Sequence, residues 1–118
     1  MKHFRFEDFE IWQIACDVGD ELCSIADELT EKQLYGFADQ LRRAALSISN
    51  NIAEGSGSEF PKDFQNFLNH ARRSVFECAS MILFFERKNL VTAEVKESLV
   101  PRLSLLSKKI LNFKKSIT

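Results

Sequence analysis

The side chains best suited to chemistry are few and poorly spaced for it. Two histidines, His3 and His70, and three cysteines, Cys16, Cys23 and Cys78, are the soft ligands and nucleophiles of the chain. A di-metal site in a helical bundle needs Glu-x-x-His pairs that project inward. Phe67 stands three residues before His70, where the glutamate belongs, and His3 lies in a short N-terminal arm, residues 1–8. His70 reads as a boundary residue hydrogen-bonded to a neighbour. No Cys-x-x-Cys pair is present for a zinc ribbon. Cys16 and Cys23 are seven residues apart, about 10 Å along a helix and beyond disulfide reach. All three cysteines read as buried thiols, and Cys78, on an apolar stripe, as an inert one. The sequence has no Gly-x-Ser-x-Gly elbow, and EGSGSEF, residues 54–60, lacks the Lys-Ser/Thr of a phosphate-binding loop. The expectation is a protein with no metal, no cofactor, no small-molecule substrate and no enzymatic activity.

Phosphate recognition is the other chemistry within reach. Two doublets, Arg42-Arg43 and Arg72-Arg73, and the lysines Lys108, Lys109 and Lys115 are the candidate RNA contacts. The formal net charge of -1 excludes attraction by a basic whole-molecule field. That near-neutral sum hides unlike parts. Residues 1–31 hold two basic and nine acidic side chains, 32–100 hold nine and eight, and 101–118 hold five and none. On a helical wheel Lys108 and Lys115 fall opposite the apolar stripe, Arg102 and Lys109 flank one side of it and Lys114 the other. Only repetition in an oligomer would concentrate them into an RNA-binding surface. The competing use is internal: the acidic first helix and the basic last helix are neighbours in a bundle and can pair across it, or pair head-to-tail between subunits.

The elements that hold these residues follow from composition and period. A chain of 118 residues with 45% apolar and 28% charged residues, four Gly and two Pro is one mostly helical domain, 1–118. The expected first helix, about Phe9 to Leu29, centres its stripe on Trp12, Ala15, Cys16, Gly19, Cys23 and Ala26, with Ile11, Val18, Leu22 and Leu29 at one edge. The second, about Leu34 to Glu54, buries Leu34, Phe37, Leu41, Ala45, Ile48 and Ile52, and Gly55 is placed to end it in a left-handed cap before a GSGS loop. The third starts near Pro61 and runs to Lys88, with Phe60, Phe64, Phe67, Ala71, Val75, Cys78, Ile82 and Phe85 inward and Asn89 closing it. The fourth starts after Thr92 and buries Leu99, Leu103, Leu106, Ile110, Phe113 and Ile117; Pro101 should kink it or move its start to about Ser98. Short connections make this an all-α, antiparallel up-down-up-down four-helix bundle. No apolar window reaches the ~18 residues of a membrane span, and the start is too acidic for a signal peptide, so a cytoplasmic protein is expected.

Some apolar side chains are left over. Leu46 and Ala53 lie about 120 to 140° from the second helix's stripe, and Phe76, Leu83 and Phe84 similarly far round the third, which predicts self-association through these two helices. Beside the stripe of the second helix runs a polar line, Gln40, Ser47, Asn51 and Glu54, with Ala44 between, suited to close helix approach; Asn51 and Glu54 are placed to bond the GSGS loop.

The run QLRRAALSISNNIAEGSGS, preceded by FEDFEIWQIA and followed by KDFQNFLNHARRSVFEC, resembles the bacterial four-helix-bundle family of 23S rRNA intervening-sequence proteins over Phe6 to Phe113. The most specific piece, Leu41 to Gly55, is similar to a family pattern LRRAAxSIxxNIAEG, so Gln40, Arg42, Arg43, Asn51, Glu54 and Gly55 sit in or beside its motif. The resemblance implies an antiparallel bundle assembled as a ring-like homopentamer, with no attached enzymatic activity. A related branch, the accessory protein of diversity-generating retroelements, works with a reverse transcriptase and nucleic acid, which implies RNA or ribonucleoprotein contact. This chain departs at Ser49, where many members have Pro, at Arg73, where a small residue is common, and at Pro101. The acidic first helix also contrasts with the basic exterior of the retroelement branch.

Overall fold

Four apolar arcs of helical period meet in one core. The computed structural model describes residues 2–118. It holds α1 (Glu10–Glu31), α2 (Tyr35–Ser56), α3 (Pro61–Arg87) and α4 (Ala93–Ser116), preceded by a 3₁₀ turn at Arg5–Asp8. The connections are residues 32–34, 57–60 and 88–92, too short for anything but antiparallel neighbours, and the result is an up-down-up-down bundle of 44 × 24 × 24 Å.

The helix ends are chemically defined. α1 and α3 close alike: Gln33 (φ 64) and Asn89 (φ 60) are left-handed, while Leu34 N–H donates to the Leu29 carbonyl at 2.9 Å and Leu90 N–H to that of Phe85 at 2.8 Å. This is the Schellman arrangement. Asparagine, expected to end the third helix, tolerates that backbone; glutamine holds it at a cost. Pro61 occupies the first turn of α3, and the Thr92 hydroxyl accepts from Val95 N–H at 3.2 Å to cap α4. α4 therefore starts at Ala93 and continues through Pro101; the alternative start near Ser98 is not used.

Core composition follows the predicted stripes on α2 and α4, with shifts elsewhere. On α1 the buried line is Ile11, Ala15, Val18, Leu22, Ile25, Ala26 and Leu29, while Trp12, Cys16, Gly19 and Cys23 are only half-buried. The stripe's expected edge is its centre, because the bulkier aliphatic side chains fill the space between helices better than the small ones. Cys16 and Cys23 are thus not the buried thiols expected; Cys78 is. On α3 Phe60 is 62% exposed, correcting its inward assignment, and Leu68 takes a core place that the predicted stripe omitted.

Gly55 is the clearest correction. No glycine among the described residues has positive φ, and α2 runs through Gly55 to Ser56, with Gly57 as the C-cap. A Cβ added at Gly55 would lie 2.6 Å from Phe67 Cβ and 2.8 Å from Phe64 Cδ1. The residue is glycine because α3 crosses there at a distance no side chain allows.

Candidate interaction surfaces

The polar line of α2 is a seam against α3. Ser47 Oγ and Ser74 Oγ share a hydrogen bond of 2.8 Å, and Asn51 Nδ2 donates to the Ser47 carbonyl at 2.8 Å and to Ser47 Oγ at 2.9 Å. Asn51 therefore bonds back along its own helix, correcting the expectation that it reaches the GSGS loop; Glu54 is exposed and makes no side-chain hydrogen bond among the described residues. With Ser47 and Asn51 as floor, an open groove of about 610 Å³ has Gln40, Arg43, Glu54 and Glu77 on its walls. It continues past Ser74 to His70 and Arg73. His70 is exposed and makes no hydrogen bond among the described residues, so its expected neighbour bond is absent. The groove presents both charge signs at open positions, which suits recognition and does not concentrate a catalytic set.

The seven candidate RNA contacts do not converge. Arg42 spans two helices, donating to Asp27 at 2.8 Å and to the Thr30 hydroxyl at 2.9 Å. Arg72 donates to the Ser107 carbonyl of α4 at 3.3 Å and lies over the Phe76 ring, 5.1 Å from its centroid. Lys109 pairs with Glu10 at 2.8 Å. Arg43, Arg73, Lys108 and Lys115 are exposed, without an ion pair among the described residues; Arg43 and Arg73 lie along the α2–α3 groove, while Lys108 and Lys115 are on α4.

The lopsided charge of the sequence is answered in part inside one molecule. α1 and α4 meet least closely of the sequential and closing neighbours, and Arg102–Glu21 and Lys109–Glu10 bridge them. The hydrogen bond and charge of Glu21 hold the Arg102 guanidinium above its ordinary pKa. At such exposure each pair contributes only about 0 to 1 kcal/mol, so these bridges orient the two helices more than they stabilise them. Burial, assisted by Glu77, pushes the Cys78 thiol up to about 12, far from any nucleophilic role. No group of three His, Cys, Asp or Glu residues is placed to hold a metal among the described residues.

Four of the five predicted association residues face solvent: Leu46 is 58%, Phe76 56%, Leu83 43% and Phe84 48% exposed; Ala53 is half-buried. They do not form one patch. Leu46 borders the α2–α3 groove, and Phe84 packs edge-on to Phe37 of α2. Phe76 instead lines a cleft with Val100 and Ser104 of α4, and Leu83, seven residues on, points about 20° from it.

A further feature had no signal in the sequence. The arm folds back, and the Arg5 guanidinium donates to the Ser56 carbonyl at 2.9 and 3.2 Å while lying 5.3 Å from the Phe64 ring centroid. It caps the end of α2 that Gly55 brings against α3. A lone arginine in an arm carries no pattern that would have identified this partner.

A family model described as 23S rRNA-intervening sequence protein matches residues 7–112. The chain belongs to the 23S rRNA-intervening sequence protein family. The match takes in all of α1, α2 and α3 and most of α4, so the Leu41 to Gly55 segment that carries the resemblance lies wholly inside it. No curated protein matches the chain. Within this family member the motif residues have separate structural roles. Gly55 sets the α2–α3 crossing, Asn51 holds the seam, Arg42 ties α2 to α1, and Gln40, Arg43 and Glu54 line the groove. No helix among the described residues is long and apolar enough to cross a membrane.

Proposed function

We propose that this protein is a non-enzymatic, self-associating bundle that serves as a scaffold or ribonucleoprotein adaptor, in the ribosome-associated setting its family name suggests. The observation that carries the reading is the exposure of Leu46, Phe76, Leu83 and Phe84. These large apolar side chains lie outside the core at two places, Leu46 and Phe84 beside α2 and Phe76 at a cleft between α3 and α4, which offers two contact surfaces to a second copy. The homopentamer implied by family resemblance is the expected form. The non-enzymatic reading goes with titratable groups that lie on open surfaces and with a Cys78 thiol that burial keeps neutral. Sedimentation at micromolar concentration tests the reading: a mass five times that of the chain is expected, and a monomer would overturn it.

The adaptor reading differs from direct RNA binding in its salt response. A phosphate binder loses affinity steeply as salt rises. With Arg42, Arg72 and Lys109 committed to protein partners, the expected result is weak RNA binding at low salt that Arg43→Ala and Arg73→Ala change little. Tight, steeply salt-dependent binding abolished by those substitutions would reverse the assignment.

A further inference from the structure

Two segments outside the four helices are tied down beside one cavity. Arg5 holds the arm by donating from Nε and Nη2 to the Ser56 carbonyl. Gln65 Nε2 holds the segment after α4 by donating to the Ile117 carbonyl at 2.7 Å. Between these anchors lies an open pocket of about 370 Å³, lined by Arg5, Phe9, Phe60, Phe64, Phe113 and Ile117. Apolar and aromatic walls with a few placed polar groups, in a space of about 300 to 1,000 Å³, characterise small-ligand sites.

Three of the rings satisfy one another. Phe113 packs against Phe9 at 4.9 Å and against Phe64 at 5.8 Å between centroids. Phe60 does not join them: it makes no ring pair among the described residues and is 62% exposed. It stands at the N-cap of α3 but gives no side-chain cap bond. A phenylalanine there adds little to the core and nothing to the helix end. A further ring inserted beside it would supply the offset or edge-to-face contact that Phe60 lacks.

Arg5 decides the charge of what can bind. Its guanidinium lies 5.9 Å from the Phe9 centroid and 5.3 Å from that of Phe64, so the place of a cation among these rings is already filled. The Nε–Nη2 edge is spent on Ser56, while Nη1 has no acceptor among the described residues. The remaining Nη1–Nη2 edge matches a carboxylate, which accepts two parallel N–H donors. Glu59 also lines the pocket; it is exposed, and its charge opposes an anion placed anywhere but at Arg5.

We infer that this pocket binds an aromatic carboxylate, its ring beside Phe60 and its carboxylate on the open edge of Arg5. The group is held as a ligand, without turnover. A small free acid and a polypeptide ending in an aromatic residue present the same two features, and the test separates them. The inference does not depend on the self-association proposed above.

The test titrates three probes into the full chain by isothermal titration calorimetry: 3-phenylpropionate, the uncharged 3-phenylpropionamide, and a tripeptide ending in phenylalanine with a free carboxylate. Saturable one-to-one binding of the acid is expected at millimolar concentration, with the amide at least about tenfold weaker for want of the charge-assisted pair. Phe60→Ala should weaken the acid by about 3- to 10-fold through loss of the ring contact. Arg5→Met should reduce the acid to the affinity of the amide, and Arg5→Lys, which keeps the charge without the planar fork, should fall between. Circular dichroism checks that each variant folds. Because Arg5→Met also frees the arm, the acid-to-amide ratio of the unaltered chain carries the charge assignment by itself. No saturable binding of either carboxylate, equal affinity for acid and amide, or an affinity that Phe60→Ala leaves unchanged overturns the site. A tripeptide that binds more tightly than the free acid assigns the ligand to a polypeptide end, and one that binds no better assigns it to a free acid.

Discussion

Replacing Gly55 with alanine puts the α2–α3 crossing to a direct test. In an exposed helix the change would stabilise by up to about 1 kcal/mol, the propensity difference between the two residues. Here the added carbon would lie 2.6 Å from Phe67 Cβ and 2.8 Å from Phe64 Cδ1, against an ordinary carbon separation of about 3.5 to 4.0 Å. The Phe64 ring can turn aside, but Phe67 Cβ is fixed to the α3 backbone, so the helices must part by roughly 1 Å. Overpacking of this kind costs about 1 to 3 kcal/mol, and parting the helices also stretches the contact of Arg5 with the Ser56 carbonyl. The expected net loss is about 1 to 2 kcal/mol, or roughly 4 to 8 °C in Tm for a domain of this size. Thermal unfolding followed by circular dichroism measures it. Gly36→Ala, where nothing lies within 4 Å of the added carbon, is the control and should be neutral or stabilising. A Gly55→Ala protein as stable as wild type would refute close packing as the reason for glycine at this position.

Other substitutions probe the remaining devices. Gln33→Gly should raise stability by roughly 0.5 to 1 kcal/mol in denaturant unfolding by relieving a left-handed glutamine; a loss would mean that the side chain compensates for its backbone. Ser47→Ala and Ser74→Ala should each cost about 1 kcal/mol, and the double variant clearly less than their sum, since both remove one shared hydrogen bond; strict additivity would show that the seam is not coupled. Cys78, raised from 9.0 to about 12, should resist thiol reagents in the folded protein while the half-buried Cys16 and Cys23 react. Because the folded state favours the neutral thiol, its contribution is complete below about pH 9 and is lost as pH rises toward 12. Rapid labelling of all three cysteines at neutral pH would contradict the burial of Cys78.

Much of the fold was legible because its signals are local. The 3.6-residue period on α2 and α4, Pro61 at the start of α3, Asn89 past its end and Thr92 before α4 each act over a few residues. The surplus apolar residues were legible for the same reason: Leu46 and Phe76 are off-stripe on any helical wheel. The wheel could not give the rotation of each helix about its neighbours. The aliphatic edge of α1 therefore became its buried centre, and Trp12, Cys16 and Cys23 moved outward.

The sequence by itself determined four amphipathic helices, their antiparallel order and their approximate ends, because backbone hydrogen bonding and apolar period are properties of contiguous residues. Only the tertiary structure decided which residues meet across helices. Gly55 could be read as a cap until Phe64 and Phe67 were seen against it, and Arg5 had no partner until the arm met Ser56, 51 residues away. The acidic α1 and basic α4 could pair across the bundle, but only the structure shows that Glu21 and Glu10 are the residues that meet Arg102 and Lys109. Long-range pairs depend on helix rotation and separation, which the sum of packing over the whole core sets and no short stretch of sequence encodes.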